Sequence, residues 1–151
     1  MDRGSADLLE WQNAVCTDEL FSSSTVSEPV VSFNPRYQDN TIVKLTFSFA
    51  QAIWDLSAEL DDRRKYAVSN RLFRSDTGIG VLVRDAQNGE SLADFVHKMK
   101  IALKEADETE YRLLLCQSRD ITSATTCLEK LLPIIRILNK IISTSKAKFK
   151  K

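Results

Sequence analysis

Residues that interrupt regular structure are scarce in this sequence, which has 4 glycines and 3 prolines among 151 residues. Proteins built from many strands need such residues in their turns, so the scarcity disfavours an all-β fold and favours long helices. Cysteine is also scarce: Cys16, Cys116 and Cys127 are odd in number, and none belongs to a CxxC pair. This usage fits a reducing compartment better than a secreted protein, and we expect a cytoplasmic location.

Long apolar runs are absent too. The strongest apolar stretches, residues 45–54 and 131–142, are shorter than the roughly 20 residues that cross a bilayer. The first 20 residues carry five acids and no apolar stretch behind a basic start, so no secretion signal is expected. We therefore predict no membrane association.

No charge of one sign dominates the whole chain, since 21 basic side chains are balanced by 21 acidic ones. The balance conceals a division at residue 40. Residues 1–40 hold two bases and seven acids, a net charge of −5, whereas residues 41–151 hold 19 bases and 14 acids, a net charge of +5. Such asymmetry between segments is typical of a tail that contacts the body of the protein or a partner.

The acidic segment, residues 1–40, is expected to be an extension or linker outside the main domain. Its first half could form a short helix with Leu8, Trp11 and Val15 on one side, and its second half is rich in serine and contains two prolines. Three interpretations are open: a mobile extension without function, a docking peptide, or an incorrectly assigned start codon. The docking peptide would use as its anchors Trp11, Phe21 and Phe33.

From Thr41 onward the apolar residues recur at spacings of three and four, which is the period of an amphipathic helix. Four such stripes follow one another with polar turns between them. They predict an all-α fold, an antiparallel up-and-down four-helix bundle over residues 41–146, followed by a basic tail at residues 147–151. The stripes consist of Ile42, Leu45, Phe49, Ile53, Leu56 and Leu60; of Val68, Leu72, Ser75, Ile79, Val83 and Ala86; of Phe95, Met99, Ala102, Ala106, Thr109 and Leu113; and of Cys127, Leu128, Leu131, Leu132, Ile135, Leu138 and Ile142.

Five residues add detail to these helices. Ser91 and Asp94 have the spacing of a capping box that starts the third helix. Gly78 and Gly80 lie inside the second stripe, where we expect them to allow the close approach of a neighbouring helix. Pro133 lies inside the fourth segment and is expected to kink or split it.

Residues 71–111 carry a set of distinctive motifs, namely Arg74-Ser75, Thr77-Gly78-Ile79-Gly80, Ser91, Asp94-Phe95, Ile101-Ala102 and residues 104–110. Together these motifs resemble the family of four-helix-bundle proteins encoded in 23S rRNA intervening sequences. The flanking helices also match, so the resemblance spans about residues 40–146. The sequence departs from the family pattern at Gly78, Leu82, Arg112 and Pro133, and any contact that the family makes through an asparagine at the position of Leu82 is missing.

The resemblance implies a four-helix bundle that assembles into a funnel-shaped homopentamer. It also reaches the accessory variability determinants of diversity-generating retroelements, which are basic pentamers that bind nucleic acid and partner a reverse transcriptase. No catalytic activity is associated with the family. The resemblance therefore implies a non-enzymatic bacterial protein whose partners are further copies of itself, RNA or DNA, and a reverse transcriptase.

Enzyme motifs are nearly absent from the sequence. His97 is the one histidine, and we expect it at the surface or in a subunit contact, because a lone histidine makes neither a metal site nor an oriented general base. Gly78-Ile79-Gly80 lacks the third glycine of a dinucleotide-binding loop. The acids of residues 105–110 lack the Glu-x-x-His pairs of a carboxylate metal centre. We therefore predict no enzyme activity, no catalytic residue, no cofactor and no metal.

Basic side chains are the candidate binding residues. They could neutralise phosphates of RNA or DNA and release counterions, although exposed bases also serve solubility alone. The acidic residues 1–40 would compete with nucleic acid for the same basic surface. The candidate nucleic-acid-binding residues are Arg63, Arg64 and Lys65 in the first turn, Arg71 and Arg74 in the second helix, Arg136 and Lys140 in the fourth helix, and Lys146 and Lys148 near its end.

The sequence thus predicts a non-enzymatic oligomeric scaffold that binds nucleic acid or a nucleic-acid enzyme such as a reverse transcriptase. The alternative is a protein-only adaptor, which docks its partner through the N-terminal segment and whose basic residues are incidental. Binding of RNA or DNA that weakens steeply with salt separates the two hypotheses.

Overall fold

The computed structural model describes residues 34–149, and within them four long helices form an antiparallel bundle. Within the described residues, a 3-10 turn, Pro35–Tyr37, precedes the helices. The predicted all-α four-helix bundle is confirmed. The short helix expected near the N-terminus and the anchors Trp11, Phe21 and Phe33 lie outside the described residues. The helices are α1 (Thr41–Asp62), α2 (Tyr66–Ala86), α3 (Leu92–Gln117) and α4 (Ser123–Phe149).

The apolar stripes of the sequence form the core. Residues three and four apart share one face of a helix, so each stripe buries a continuous ridge against its neighbours. Burying one large aliphatic or aromatic side chain stabilises the fold by roughly 1.5–3 kcal/mol. The largest fully buried side chains are Phe49, Phe95, Ile42, Ile53, Leu56, Leu60, Leu72, Ile79, Met99, Leu113, Leu131 and Ile134.

Each helix packs on two others. The contacts join α1 with α2, α2 with α3, α3 with α4, and α4 with α1, so that α1 and α3 are diagonal, as are α2 and α4. Two short turns share one end of the bundle, and each contains a residue in the left-handed region, Arg64 (φ 57°) and Asp120 (φ 59°). Ser123 in α4 donates a hydrogen bond to the carboxylate of Glu59 in α1, which ties the two turns together.

A capping box begins α3, as the sequence predicts. The Ser91 hydroxyl accepts a hydrogen bond of 3.1 Å from the backbone N–H of Asp94. The Asp94 carboxylate accepts a hydrogen bond in return from the backbone N–H of Glu90, one residue before the expected donor. Lys98 in α3 forms salt bridges with Asp94 (3.1 Å) in the same helix and with Asp85 (3.2 Å) in α2. These salt bridges join the end of α2 to the start of α3. The hydrogen bond from Lys98 holds the pKa of the Asp94 carboxyl below its usual value.

Three expectations about the helices need correction. The helix α4 runs without interruption through Pro133, so of the two expected effects, a kink or a split, the split is wrong. Methyl groups at Gly78 and Gly80 would meet their nearest neighbours at 4.0 and 3.8 Å, which is ordinary van der Waals contact, so the packing does not need glycine there. Leu132 belongs to the fourth stripe in the sequence, yet it is 42% exposed.

The bundle begins before Thr41, within the segment predicted as a linker. Tyr37 is buried, and the guanidinium of Arg84 lies over its ring. Arg36 donates hydrogen bonds of 2.7 Å to the side chain of Asn88 and to the backbone carbonyl of Gln87. The 3-10 turn is therefore fixed to the loop between α2 and α3, and the chain enters the bundle at a defined point.

Candidate interaction surfaces

All nine predicted nucleic-acid-binding residues are exposed. Three of them, Arg63, Arg64 and Lys65, lie in the α1–α2 turn, but they do not give this end of the bundle a net positive charge. Arg63 pairs with Glu59 at 2.7 Å. The same end of the bundle carries a fourth base, Arg119, and three exposed acids that offset the remaining charge. Those acids are Asp61, Asp62 and Asp120. This end is electrically balanced.

The other predicted bases lie on separate parts of the bundle. Arg71 and Arg74 lie on α2, whereas Arg136 and Lys140 lie on α4, and these two helices are diagonal. Lys146 and Lys148 lie in the last turns of α4, at the end opposite the α1–α2 turn. The structure therefore brings the predicted residues together only in pairs or in one triplet. Within residues 34–149 of a single copy they form no continuous basic surface.

The first apolar surface lies between α3 and α4. The Gln117 side chain donates a hydrogen bond of 3.0 Å to Thr125, which sets the register of the two antiparallel helices and places Leu132 level with Tyr111. Four large apolar side chains are exposed within about two turns of this level. They are Tyr111 (71% exposed), Leu114 (49%), Leu115 (47%) and Leu132 (42%). We call these four residues the α3–α4 surface.

The second apolar surface is a groove between α1 and α2 with a volume of about 530 Å³. Trp54 on α1 is 66% exposed, and its ring meets that of Phe73 on α2 edge to face, with 5.5 Å between the centroids. The α1–α2 groove, as we call it, lies on the other side of the bundle from the α3–α4 surface. Its lining residues are Phe47, Ala50, Gln51, Trp54, Asp55, Phe73 and Thr77.

A carboxylic acid is buried in the core. Asp76 is 1% exposed, and neither of its carboxyl oxygens has a hydrogen-bond partner. Burial raises the pKa of this carboxyl from its ordinary value of 3.8 to about 7. Next to it, Ser75 accepts a hydrogen bond of 2.6 Å from Arg112, but that guanidinium does not bond to Asp76. Asp76 follows Leu72 by four residues and precedes Ile79 by three, and this spacing was the signal that could have identified it.

The two cysteines of the described residues are packing groups in the core. Cys116 and Cys127 are free and buried. Burial raises the pKa of both, and with the neighbouring Asp76 carboxyl it brings that of Cys127 to about 12. The Cys127 thiol lies 3.6 Å from the backbone oxygen of Ala52, which accepts its hydrogen bond. Because the thiolate is the nucleophile, a thiol with so high a pKa is a packing group.

His97 is exposed, in agreement with its expected surface position. Within the described part of the chain, no three side chains of the metal-binding types come together. The same residues include no helix long and apolar enough to cross a membrane.

These features define a class of protein, a four-helix bundle whose distinguishing surfaces are apolar. The chain belongs to the family described as 23S rRNA-intervening sequence protein, whose model matches residues 38–144. It is also similar to a crystallised protein of unknown function from the S23 ribosomal protein family of Bacteroides thetaiotaomicron VPI-5482. The two are 35% identical, with a TM-score of 0.63 over 67% of this chain and 97% of that one. No curated protein matches the sequence.

Proposed function

We propose that this protein is a non-enzymatic scaffold that works as a homo-oligomer, and that the α3–α4 surface is buried between its copies. The observation that carries the proposal is the exposure of four large apolar side chains within about two turns of one another, Tyr111, Leu114, Leu115 and Leu132. Scattered apolar residues are normal on a soluble protein, but a continuous apolar surface marks an interaction site. Association would remove this surface from water.

The expected assembly is a ring. Soluble homo-oligomers favour closed symmetry, and one repeated contact closes a ring when its rotation divides the circle evenly. The resemblance stated for the sequence implies five copies, so we propose a homopentamer. Leu114, Leu115 and Leu132 are 49%, 47% and 42% exposed, so association would gain about half of the roughly 1.5–3 kcal/mol that burying a whole leucine side chain contributes. The cost of association is at least about 4 kcal/mol, so a stable ring also needs contacts from the rest of the interface.

A ring would also repeat the scattered bases around one assembly. Each exposed pair, such as Arg71 and Arg74, would recur five times, and weak contacts to one phosphate backbone would add through avidity. We propose RNA or DNA as the partner of such a ring, with the reverse transcriptase of a retroelement as the enzyme that it would accompany. The competing proposal is a protein-only adaptor that docks its partner through the N-terminal segment. Balanced charge at the α1–α2 turn favours the adaptor, and exposure of all nine bases favours nucleic acid.

The assembly proposal is tested by mass. We expect the full chain at micromolar concentration to scatter light as an oligomer and Leu114→Glu to scatter as a monomer, because a charge in the buried contact would be desolvated. Val81→Glu is the matched control, since Val81 is 65% exposed on α2 and lies outside the α3–α4 surface. Circular dichroism checks that both variants remain folded. A monomeric wild-type chain, or an oligomer that survives Leu114→Glu, would overturn the proposal.

A further inference from the structure

We propose that residues 1–33 bind in the α1–α2 groove of their own chain, with Leu8, Trp11 and Val15 facing the groove. The three residues recur at spacings of three and four, so a helix would present them on one side. The occupant is thus an amphipathic segment of the same molecule, and an amphipathic helix in an apolar groove is a recurring mode of recognition. This inference does not depend on the proposed oligomer, because that contact uses the opposite side of the bundle.

The entry point of the chain carries the first part of the argument. Asn34 precedes a turn that is fixed to the bundle, since Arg36 bonds to the α2–α3 loop and Tyr37 packs beneath Arg84. Asn40 also donates a hydrogen bond of 3.0 Å to the side chain of Gln87. The segment therefore joins the bundle where α1 starts and α2 ends. The α1–α2 groove lies farther along the same two helices, and Phe47 is its lining residue nearest to this end of α1.

The segment is long enough to reach the groove. From Asn40 to Trp54 the helix rises about 21 Å, at 1.5 Å per residue. Eighteen residues separate Val15 from Asn34, and an extended chain of that length spans roughly 60 Å. The groove can therefore be filled without displacing the 3-10 turn.

The chemistry of the groove matches the segment. Three of its seven lining residues are aromatic, and its volume of about 530 Å³ can accept an indole together with smaller side chains. A buried aromatic side chain removes about 150–250 Å² from water, so Trp11 would be the strongest single anchor. Trp54 and Phe73 already meet edge to face, and a third ring could pack against them in the same manner.

Charge supports the same occupant. Residues 1–33 contain six acids and one base, a net charge of −5, and the remainder of the chain carries +5. Lys44 lies two helical turns before Gln51 on the same side of α1, and Arg74 lies one turn before Thr77 on α2, so both bases border the groove. Asp55 also lines the groove, and its negative charge would oppose the binding of an acidic segment. An acidic segment that crosses the groove would pass between the two bases.

The test places a photoreactive residue in the full-length chain. In the variant Trp11→p-benzoylphenylalanine, illumination should join position 11 to peptides of α1 or α2 that line the groove. Mixing isotopically heavy and light chains before illumination distinguishes a cross-link within one chain from one between copies. We expect cross-links within one chain. Cross-links between copies, at another surface, or absent from the folded protein would each overturn the proposal.

A second variant separates the groove from general proximity. Trp54→Glu places a charge in the groove, and because Trp54 is largely exposed, the core is left intact. We expect this change to abolish the cross-links to α1 and α2. Val81→Glu is the matched control, because it introduces the same charge at an equally exposed apolar residue outside the lining of the groove and outside the α3–α4 surface. Groove cross-links that persist in Trp54→Glu, or that disappear equally in Val81→Glu, would contradict binding in the groove.

Discussion

The guanidinium of Arg84 lies 4.9 Å from the centroid of the Tyr37 ring, and this contact joins the last turn of α2 to the 3-10 turn before α1. The Tyr37 ring is buried, although it belongs to a segment whose composition resembles a linker. The pair shows that the bundle recruits residues on the N-terminal side of its first helix. The stability of the fold should therefore depend on residues outside the four stripes.

Removing the Tyr37 ring should destabilise the bundle. Truncating a buried aromatic side chain typically costs 3–5 kcal/mol, so we expect Tyr37→Ala to lower the free energy of unfolding by about 3 kcal/mol. Arg84→Ala removes the nearer of the two guanidinium groups that lie over the ring, at 4.9 Å against 5.8 Å for Arg36, and should cost about 1 kcal/mol. Urea denaturation followed by circular dichroism measures both changes. Equal effects of the two variants would show that the ring contributes no packing of its own.

The buried carboxyl of Asp76 should make stability fall as pH rises. Its pKa is raised from 3.8 to about 7 in the folded protein, so the folded state holds the proton more tightly than the unfolded chain does. The contribution of the protonated group is fully present below pH 3.8 and is lost as the pH rises to about 7. A difference of about 3 pKa units corresponds to about 4 kcal/mol. Urea denaturation at several pH values between 4 and 8 measures this loss.

The variant Asp76→Asn identifies the group responsible. Asparagine does not ionise, so the variant lacks the loss of stability that ionisation of Asp76 causes. We therefore expect the free energy of unfolding of Asp76→Asn, relative to that of the wild type, to rise by up to about 4 kcal/mol from pH 4 to pH 8. Asp107→Asn, at an exposed position of α3, is the control and should follow the wild-type profile. A difference between Asp76→Asn and the wild type that stays constant with pH would contradict a raised pKa.

Alanine should be better than glycine at two positions of α2. Methyl groups at Gly78 and Gly80 would make ordinary contacts, and both residues have helical backbone angles. We expect Gly78→Ala and Gly80→Ala each to raise the free energy of unfolding by up to about 1 kcal/mol. Gly89→Ala provides the contrast, because its methyl group would lie 3.0 Å from the backbone oxygen of Ala86 and should be neutral or destabilising. Thermal melts of the three variants decide the signs.

If the oligomer binds nucleic acid, its affinity should depend on salt through the exposed bases. We expect the affinity for labelled RNA or duplex DNA to fall as salt rises. Arg71→Ala and Arg74→Ala should each reduce the slope of that fall by about 1 for every phosphate that the arginine neutralises. Lys130→Ala is the control, since Lys130 is exposed but donates its hydrogen bond to Ser48. Absence of binding at low salt would favour the protein-only adaptor.

The helices could be predicted from the sequence because their signals are local. The spacing of the four stripes and the Ser91–Asp94 cap depend on residues within one or two turns, and the structure confirms both. The sequence does not show which face of α4 is buried, because Leu131 and Leu132 are neighbours and equally apolar. Packing against the other helices buries Leu131 completely and leaves Leu132 at the surface.

The arrangement of the surfaces could not be predicted for the same reason. The spacing of Arg71 and Arg74, or of Arg136 and Lys140, places each pair on one helix, but only the packing order makes α2 and α4 diagonal. The groove around Trp54 and the burial of Asp76 also need two or more helices to exist. Sequence patterns therefore identified candidate residues, whereas the packing of the helices determines which of them lie close together.

The attachment of Arg36 to the α2–α3 loop has a consequence for any ligand carried on residues 1–33. A ligand tethered by a short linker meets its site at an effective concentration in the millimolar range. At that concentration a contact with a dissociation constant of 1 mM, about −4.1 kcal/mol, would be occupied for much of the time. A free competitor of equal affinity would have to reach millimolar levels. A single proteolytic cut between the ligand and Asn34 would release the site at once.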